Sequence, residues 1–376
     1  MSLKLFASGD MVNYTGNKTF LDKELISIIK KAEVSICNFE APLKIEDSIK
    51  IKKAGPHLFQ HESSIEYLKD SGFNYVSLAN NHIFDYGYKS LSNTINQLKK
   101  NSIEYIGAGL DFNDVYKTKF IDKNGIKIAL VSACENEFGC LYEEMDRGGY
   151  AWIFHTRIED NIRELKNKTD YIILVVHAGI ENINFPIKEW RDKYKRFCDI
   201  GVDVIIGHHP HVPQGFEWHK DSIIFYSLGN LYFDTPNYID KSDDSYSVLL
   251  EFNHKKNINF ELFFHKKING MTTLVNENKV NFKISKLNSF FDENYHQLND
   301  DISLKLYNDY YKLYYYNALG AYPKGYNYKE KIKFLIKKFL NIWNKDKMNL
   351  LLLHNIRIES HRFLVQRAIH LQSEKI

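Results

Sequence analysis

Along the first two thirds of the chain, apolar and polar positions fall into short blocks whose period switches between two and about 3.6 residues. Residues 3–7 read as a strand that breaks at Ser8-Gly9-Asp10, 24–31 as a helix, and 33–37 as a strand running into Asn38-Phe39-Glu40. Residues 63–71 are helical in pattern, 73–79 a strand that stops at Asn80-Asn81-His82, and 87–100 a helix through Leu91, Ile95 and Leu98. A short strand at 103–106 follows, then strands at 116–121 and 126–133 around the turn Lys123-Asn124-Gly125. Residues 158–168 and 188–199 are predicted helices on either side of a strand at 171–176 that stops at His177. A last apolar run, Val202-Asp203-Val204-Ile205-Ile206, opens directly onto Gly207-His208-His209-Pro210-His211. Strands alternating with helices predict a layered α/β fold.

From about residue 212 the pattern changes. Predicted strands at 215–218, 222–227, 245–252 and 259–265 succeed one another with little helix between them. They suggest a largely antiparallel second sheet packed on the first, an α+β sandwich. Residues 287–299 are polar and lack periodicity, which divides the chain into a domain at 1–290 and a helical extension at 300–376. In that extension Ile332, Leu335, Ile336, Phe339, Leu340 and Trp343 keep i, i+3, i+4 spacing among Lys331, Lys333, Lys337 and Lys338. A basic amphipathic helix of this kind either packs its stripe on its own domain or lies peripherally on an anionic membrane; helical patterning at 356–369 favours packing as a hairpin.

Composition changes little in this picture. A net charge of +3 in 376 residues gives no general support to nucleic-acid binding. The 25 Tyr and 25 Phe accompany many Lys, Ile and Asn, which is a coding bias more than an aromatic platform. Cys37, Cys134, Cys140 and Cys198 form no CxxC pair, so free buried thiols in a reducing compartment are expected. The first residues carry no secretory leader pattern and no segment has the ~20 apolar residues of a membrane span, which predicts a cytoplasmic protein.

The chemistry sits at strand ends. Five strand-like runs each deliver candidate metal or acid–base residues: Asp10; Asn38 and Glu40; Asn80, Asn81 and His82; His177; and His208, His209 and His211. Ligands of open α/β sheets bind beyond the carboxyl ends of the strands, so these groups can converge. Mixed carboxylate, amide and imidazole donors suit Mn, Fe or Zn better than Ca or Mg. A carboxylate such as Glu40 can bridge two such ions, and an imidazole that is not a ligand, His82, can protonate a leaving group. His57 and His61 read as surface histidines, and Gly107-Ala108-Gly109 as a turn. No GxxxxGK[ST] or GxSxG motif is present, which counts against nucleotide-hydrolysing and serine-hydrolase engines.

Six motifs occur in order: Gly9-Asp10, "NFEAPL" at 38–43, "LANNHIFDYG" at 78–87, "VVHAGIE" at 175–181, "GHHPHVPQ" at 207–214 and "YSLGNLYFD" at 226–234. Together they resemble the CapA family of bacterial capsule and poly-γ-glutamate biosynthesis, over about residues 3–255. The resemblance implies a calcineurin-like metallophosphoesterase fold with four α-β-β-α layers. It also implies Asp10, Glu40, Asn81, His177, His209 and His211 as positions holding two divalent metal ions, with His82 as the acid–base residue. Asn38, Asn80, Asp85, Glu181 and Asn230 would support the ligands or meet substrate, although Asp85 also reads as a turn former and cap for the helix that follows. His208 reads as a bystander. The wider phosphoesterase pattern has a histidine two residues after the first aspartate, where this chain has Val12.

The expected function is metal-dependent hydrolysis in capsule or surface-polymer synthesis, with metal-bound hydroxide attacking a phosphoester or amide. The partners implied are a phosphorylated or polymer-related substrate and a capsule-synthesis complex, with no nucleic acid. Two alternatives stand beside it: a non-catalytic metal-binding component of a synthesis or export complex, and a metallohydrolase unrelated to capsule.

Overall fold

A computed structural model describes residues 2–145, 147–236, 243–292, 294–319, 328–339 and 345–374. The chain divides into two units: Met1–Ile51, His57–Glu135 and Gly139–Asp292 form the first, and Lys52–Pro56, Asn136–Phe138 and Glu293–Ile376 the second.

The first unit is built on two mixed sheets. In one, the strand Ser2–Val12 lies parallel to Val34–Phe39, which is followed outward by Tyr75–Ser77 and Glu104–Ile106; on its other side it pairs antiparallel with Ser245–Asn253. The strands Ile258–Ile268 and Met271–Val275 continue that side as hairpins. In the other sheet Ile126–Cys134, Tyr171–His177, Val204–His208 and Ser222–Phe225 run parallel, with Lys119–Lys123 and Phe216–His219 antiparallel at the edges. The later strands therefore do not make a sheet of their own, as their succession suggested. They extend the two sheets instead: Ser222–Phe225 adds a parallel strand beside Val204–His208, while Phe216–His219, Ser245–Asn253 and Ile258–Ile268 pair antiparallel with open edges.

Period-two alternation then sorts the side chains. Leu5, Ala7, Val34 and Ile36 from one sheet, and Ile128, Leu130, Ile173, Val175, Val204 and Ile206 from the other, meet in one core between the sheets. The opposite face of the first sheet, through Phe6, Met11, Cys37 and Val76, packs on Leu25, Ile29, Leu68, Leu91, Ile95 and Leu98. Those residues form the buried faces of helices Lys23–Ile29, Ser64–Asp70 and Gly87–Lys100. Helices Thr156–Leu165 and Lys188–Ile200 bury Ile158, Ile162, Trp190, Tyr194 and Phe197 on the side of the second sheet. The result is the four-layer α-β-β-α arrangement. Strands at Ala108–Gly109, Cys140–Leu141 and Gly149–Ala151 add a small third sheet. The turn expected over residues 107–109 is therefore confined to its start: Gly107 turns, at φ +82°, but the two residues after it find a partner strand.

The C-terminal part of the second unit carries, among its described residues, the helices Tyr295–Leu306, a π-helical turn Tyr307–Tyr311, Lys312–Ala318, Tyr328–Phe339, Lys345–Arg357 and Glu359–Ser373. Ile332, Leu335 and Ile336 of the basic amphipathic helix are exposed; Leu340 and Trp343, and the side chains of Lys337, Lys338 and Phe339, lie outside the description. No helix among the described residues is long and apolar enough to cross a membrane. All four cysteines are buried free thiols.

Candidate metal centre

The parallel strands of both sheets carry their C-terminal ends to one edge of the sandwich. There the register sets His177 opposite His208 and Asp10 opposite Asn38. On the second sheet His177 continues the face of Ile173 and Val175, and His208 that of Val204 and Ile206, so both imidazoles point into the gap between the sheets. Asp10 needs a further device. It has the parity of Phe6, which faces the helical layer, yet its carboxylate meets His177 and His208. Register shifts between Ala7 and Asp10, and again between Asp10 and Met11, turn it inward. The strand does not break at Gly9, as the Ser-Gly-Asp composition suggested. It continues to Val12 because Asn230–Phe233 supplies a parallel partner.

Asp10 is completely buried. Its Oδ1 accepts from Asn38 Nδ2 at 2.7 Å and lies 3.2 Å from His208 Nδ1 and 3.8 Å from His177 Nδ1. Its Oδ2 accepts from the His209 backbone amide at 3.1 Å and lies 3.6 Å from His211 Nδ1. Burial alone would raise this carboxyl; the close approach of His208 and the nearby imidazoles of His177 and His211 reverse the sign and hold it below the usual carboxylate range. Glu40, equally buried, has Oε1 3.8 Å from His177 Nε2 and 3.7 Å from His211 Nε2. Asp10, Glu40 and His177 offer donor atoms that all lie within 4.8 Å of one another.

Amides orient this cluster. Asn80 Nδ2 donates to Asn38 Oδ1 and to the Phe39 carbonyl, which turns the Asn38 Nδ2 toward Asp10 and His177 Nδ1. Asn81 Oδ1 lies 3.1 Å from His177 Nε2, and His209 Nδ1 lies 3.0 Å from the same nitrogen. Burial, then the neighbouring His209, hold His177 well below the ordinary imidazole range, and burial lowers His209 to about 4. Both are therefore neutral near pH 7, the form that binds metal. His209 and His211 adopt left-handed backbone conformations, φ +95° and +58°. Such strain costs roughly 1–3 kcal/mol per residue and clusters at functional sites.

The remaining predicted residues divide. His82 Nδ1 lies 2.7 Å from Asp85 Oδ2, which also accepts from the Leu58 amide. Asp85 does not cap the helix Gly87–Lys100; Tyr86 holds that position, with no side-chain cap. Asn230 Oδ1 is 3.0 Å from His211 Nδ1. Glu181 is exposed, and its charge acts on His209. His208 is not a bystander, since the alternation that aims Ile206 into the core aims it at Asp10. Glu135 was missed: fully buried, it lies 3.7 Å from His209 Nε2 and accepts from the Gly179 amide. It follows directly on the strand Ile126–Cys134, so the strand-end signal that marked the other residues was present there too. Val12 is buried and offers no donor.

Two buried carboxylates beside the neutral rings of His177 and His209 are costly unless a cation joins them, and mixed O and N donors suit a transition-series divalent ion. The donor set fits a metal.

The chain matches the family described as bacterial capsule synthesis protein PGA_cap over residues 6–235. It is 32% identical over 231 residues to the capsule biosynthesis protein CapA of Bacillus anthracis, covering 60% of this chain and 56% of that protein. It is 30% identical over 231 residues to the PGA biosynthesis protein CapA of Bacillus subtilis strain 168, covering 61% and 60%. The matches thus span less than two thirds of those relatives. Among solved structures, a 5′-nucleotidase precursor from Thermus thermophilus aligns with a TM-score of 0.44 at 12% identity, over 77% of this chain and 58% of that one.

Proposed function

The chain belongs to the bacterial capsule synthesis protein PGA_cap family, and we propose that it acts there as a metal-dependent, phosphoesterase-like hydrolase of surface-polymer synthesis. The observation carrying this reading is the buried convergence of Asp10, Glu40 and His177 beside an imidazole paired with a carboxylate, His82 with Asp85. In this reading Asp10, Glu40, Asn81, His177, His209 and His211 hold two divalent ions of the Mn, Fe or Zn type. Bound there, such ions lower the pKa of water and polarise a phosphoryl or carbonyl oxygen.

The chain's own residues supply the rest. Asp85 accepts the Nδ1 proton of His82, so Nε2 of the same ring is the atom that exchanges a proton with a leaving group. Asn38 and Asn80 fix the direction of Asp10, and the depressed pKa values of His177 and His209 keep their ring nitrogens available near neutral pH. The substrate is a phosphoester or amide of the polymer or its precursors.

Val12 favours a second reading, a metal-binding component without turnover, because the buried valine replaces a ligand of the wider phosphoesterase pattern. Elemental analysis of protein purified without chelator, combined with phosphodiester turnover, separates the two. About two equivalents of metal with turnover lost in His82→Ala and His209→Ala supports the enzyme. Metal without turnover supports the second reading, and absence of metal removes both.

A further inference from the structure

Beyond the residues that surround the proposed ions, the structure assigns a positioning role to Asp243 and Lys267: they fix the proton of His211 on Nδ1. This assignment rests on the reading of His211 as a metal-holding residue for its consequence, but not for its geometry.

The links run through buried groups. Lys267 Nζ donates to Asp243 Oδ2 at 2.9 Å and to the Phe233 carbonyl at 3.0 Å. The two side chains are only 5% and 6% exposed, so this ion pair is shielded from solvent. Asp243 Oδ1 accepts from Asn230 Nδ2 at 3.2 Å, and Asn230 is completely buried. Asn230 Oδ1 lies 3.0 Å from His211 Nδ1. An asparagine amide has one donating and one accepting end. A carboxylate accepts only, so Asp243 must face the NH2 end of Asn230. The oxygen is then left for His211, and Nδ1 has to be the protonated nitrogen. The lone pair is delivered to Nε2, the atom 3.7 Å from Glu40 Oε1. Without Asp243 the amide can turn over, and the imidazole can take the opposite tautomer.

Lys267 keeps this arrangement ionic. Burial raises the Asp243 carboxyl above the usual range, against the opposing charge and hydrogen bond of Lys267. The cation comes from the strand Ile258–Ile268, one of the hairpin strands remote in sequence from the parallel core. The strand Asn230–Phe233, paired with the Asp10 strand, carries the amide. Partners that fix the tautomer of a ligating histidine in this way are worth about 10–100-fold in metal affinity.

The test uses the full chain, metal-free and labelled with 15N-histidine, at pH 8. The 15N shifts of His211, assigned through His211→Asn, report which nitrogen carries the proton. Wild type is expected to show Nδ1 protonated and Nε2 bare, Asp243→Ala a mixture or the reverse, and Asp243→Asn, which retains an acceptor oxygen, the wild-type pattern. If Asp243→Ala does not fold, Asn230→Ala cuts the relay one link later and carries the same expectation. A wild-type tautomer protonated on Nε2, or an unchanged tautomer in the variant, overturns the assignment. Mn2+ titration by calorimetry adds the functional half, with about tenfold weaker binding expected in Asp243→Ala. Equal affinity in both proteins, with the tautomer changed, overturns the role toward the metal. A wild type that binds no Mn2+ but shows the expected tautomers removes the metal reading and supports the relay.

Discussion

Asp85 Oδ2 lies 2.7 Å from His82 Nδ1, three residues away in sequence, and both side chains are buried. The same oxygen accepts from the Leu58 backbone amide at 2.8 Å, so the carboxylate is held from two sides. This pairing places the ring proton on Nδ1 and leaves Nε2 as the exchangeable position. Asp85→Asn should therefore lower turnover of a chromogenic phosphodiester about 10–100-fold while leaving bound metal unchanged. Steady-state kinetics with elemental analysis of the same preparation checks it. Equal turnover in the variant would mean that His82 needs no partner.

Metal should stabilise the fold as well as serve chemistry. Asp10 and Glu40 are buried against the rings of His177, His208 and His211, and of these His177 is held neutral by its burial. Adding Mn2+ at about a hundred times its Kd should raise stability by about 2.7 kcal/mol, visible as a higher Tm in thermal denaturation. Asp10→Asn should lose most of that rise. A Tm indifferent to Mn2+ and to chelator would falsify metal binding at this centre.

Much of this site was legible in the sequence because a strand followed at once by polar residues states its own end. His177 needed only alternation and the rule that ligands lie beyond strand ends, whereas His208, read as a bystander, is aimed at Asp10 by that same alternation, and His209 meets His177 only because its backbone turns left-handed, at φ +95°. The direction of Asp10 was not legible. Its parity points to the helical layer, and only two local register shifts, imposed by neighbouring strands, turn it inward. Nor was the strand Asn230–Phe233, four residues whose extended form depends on pairing with Asp10–Val12 rather than on their own pattern. The destination of the later strands was hidden for the same reason, since a hairpin's sequence does not say which sheet edge it will extend.

One buried histidine outside the site should govern acid stability. His265 is fully buried and bonded to Ser247 Oγ, which meets Ser8 Oγ at 2.7 Å. Burial lowers its pKa from 6.5 to about 3. The unfolded chain takes up a proton below pH 6.5 that the native state refuses, so this contribution is complete above 6.5 and drains away as pH falls toward 3. His265→Gln keeps a polar partner for Ser247 and removes the titration. Its Tm should fall less steeply than that of wild type between about pH 6.5 and 4, whatever its value at about pH 8. Parallel Tm–pH curves would count against it.

Gly9 should be the least replaceable residue of the Asp10 strand. A Cβ there would come within 1.9 Å of the Gly229 carbonyl oxygen and 3.1 Å of the Leu231 amide, and that carbonyl accepts from the Asp10 backbone amide at 2.9 Å. The neighbours are backbone, so the two strands must separate and take Asp10 with them. Gly270 is the control: its φ is +74°, but nothing lies within 4 Å of the point a Cβ would occupy. Gly270→Ala carries only the left-handed backbone cost, about 1–2 kcal/mol, whereas Gly9→Ala, at a position with no left-handed backbone, carries an overpacking cost of about 1–3 kcal/mol or more. Denaturant unfolding measures both. Mn2+ affinity should fall in Gly9→Ala and stay at the wild-type value in Gly270→Ala, because only the first substitution displaces the aspartate that the two strands hold between them.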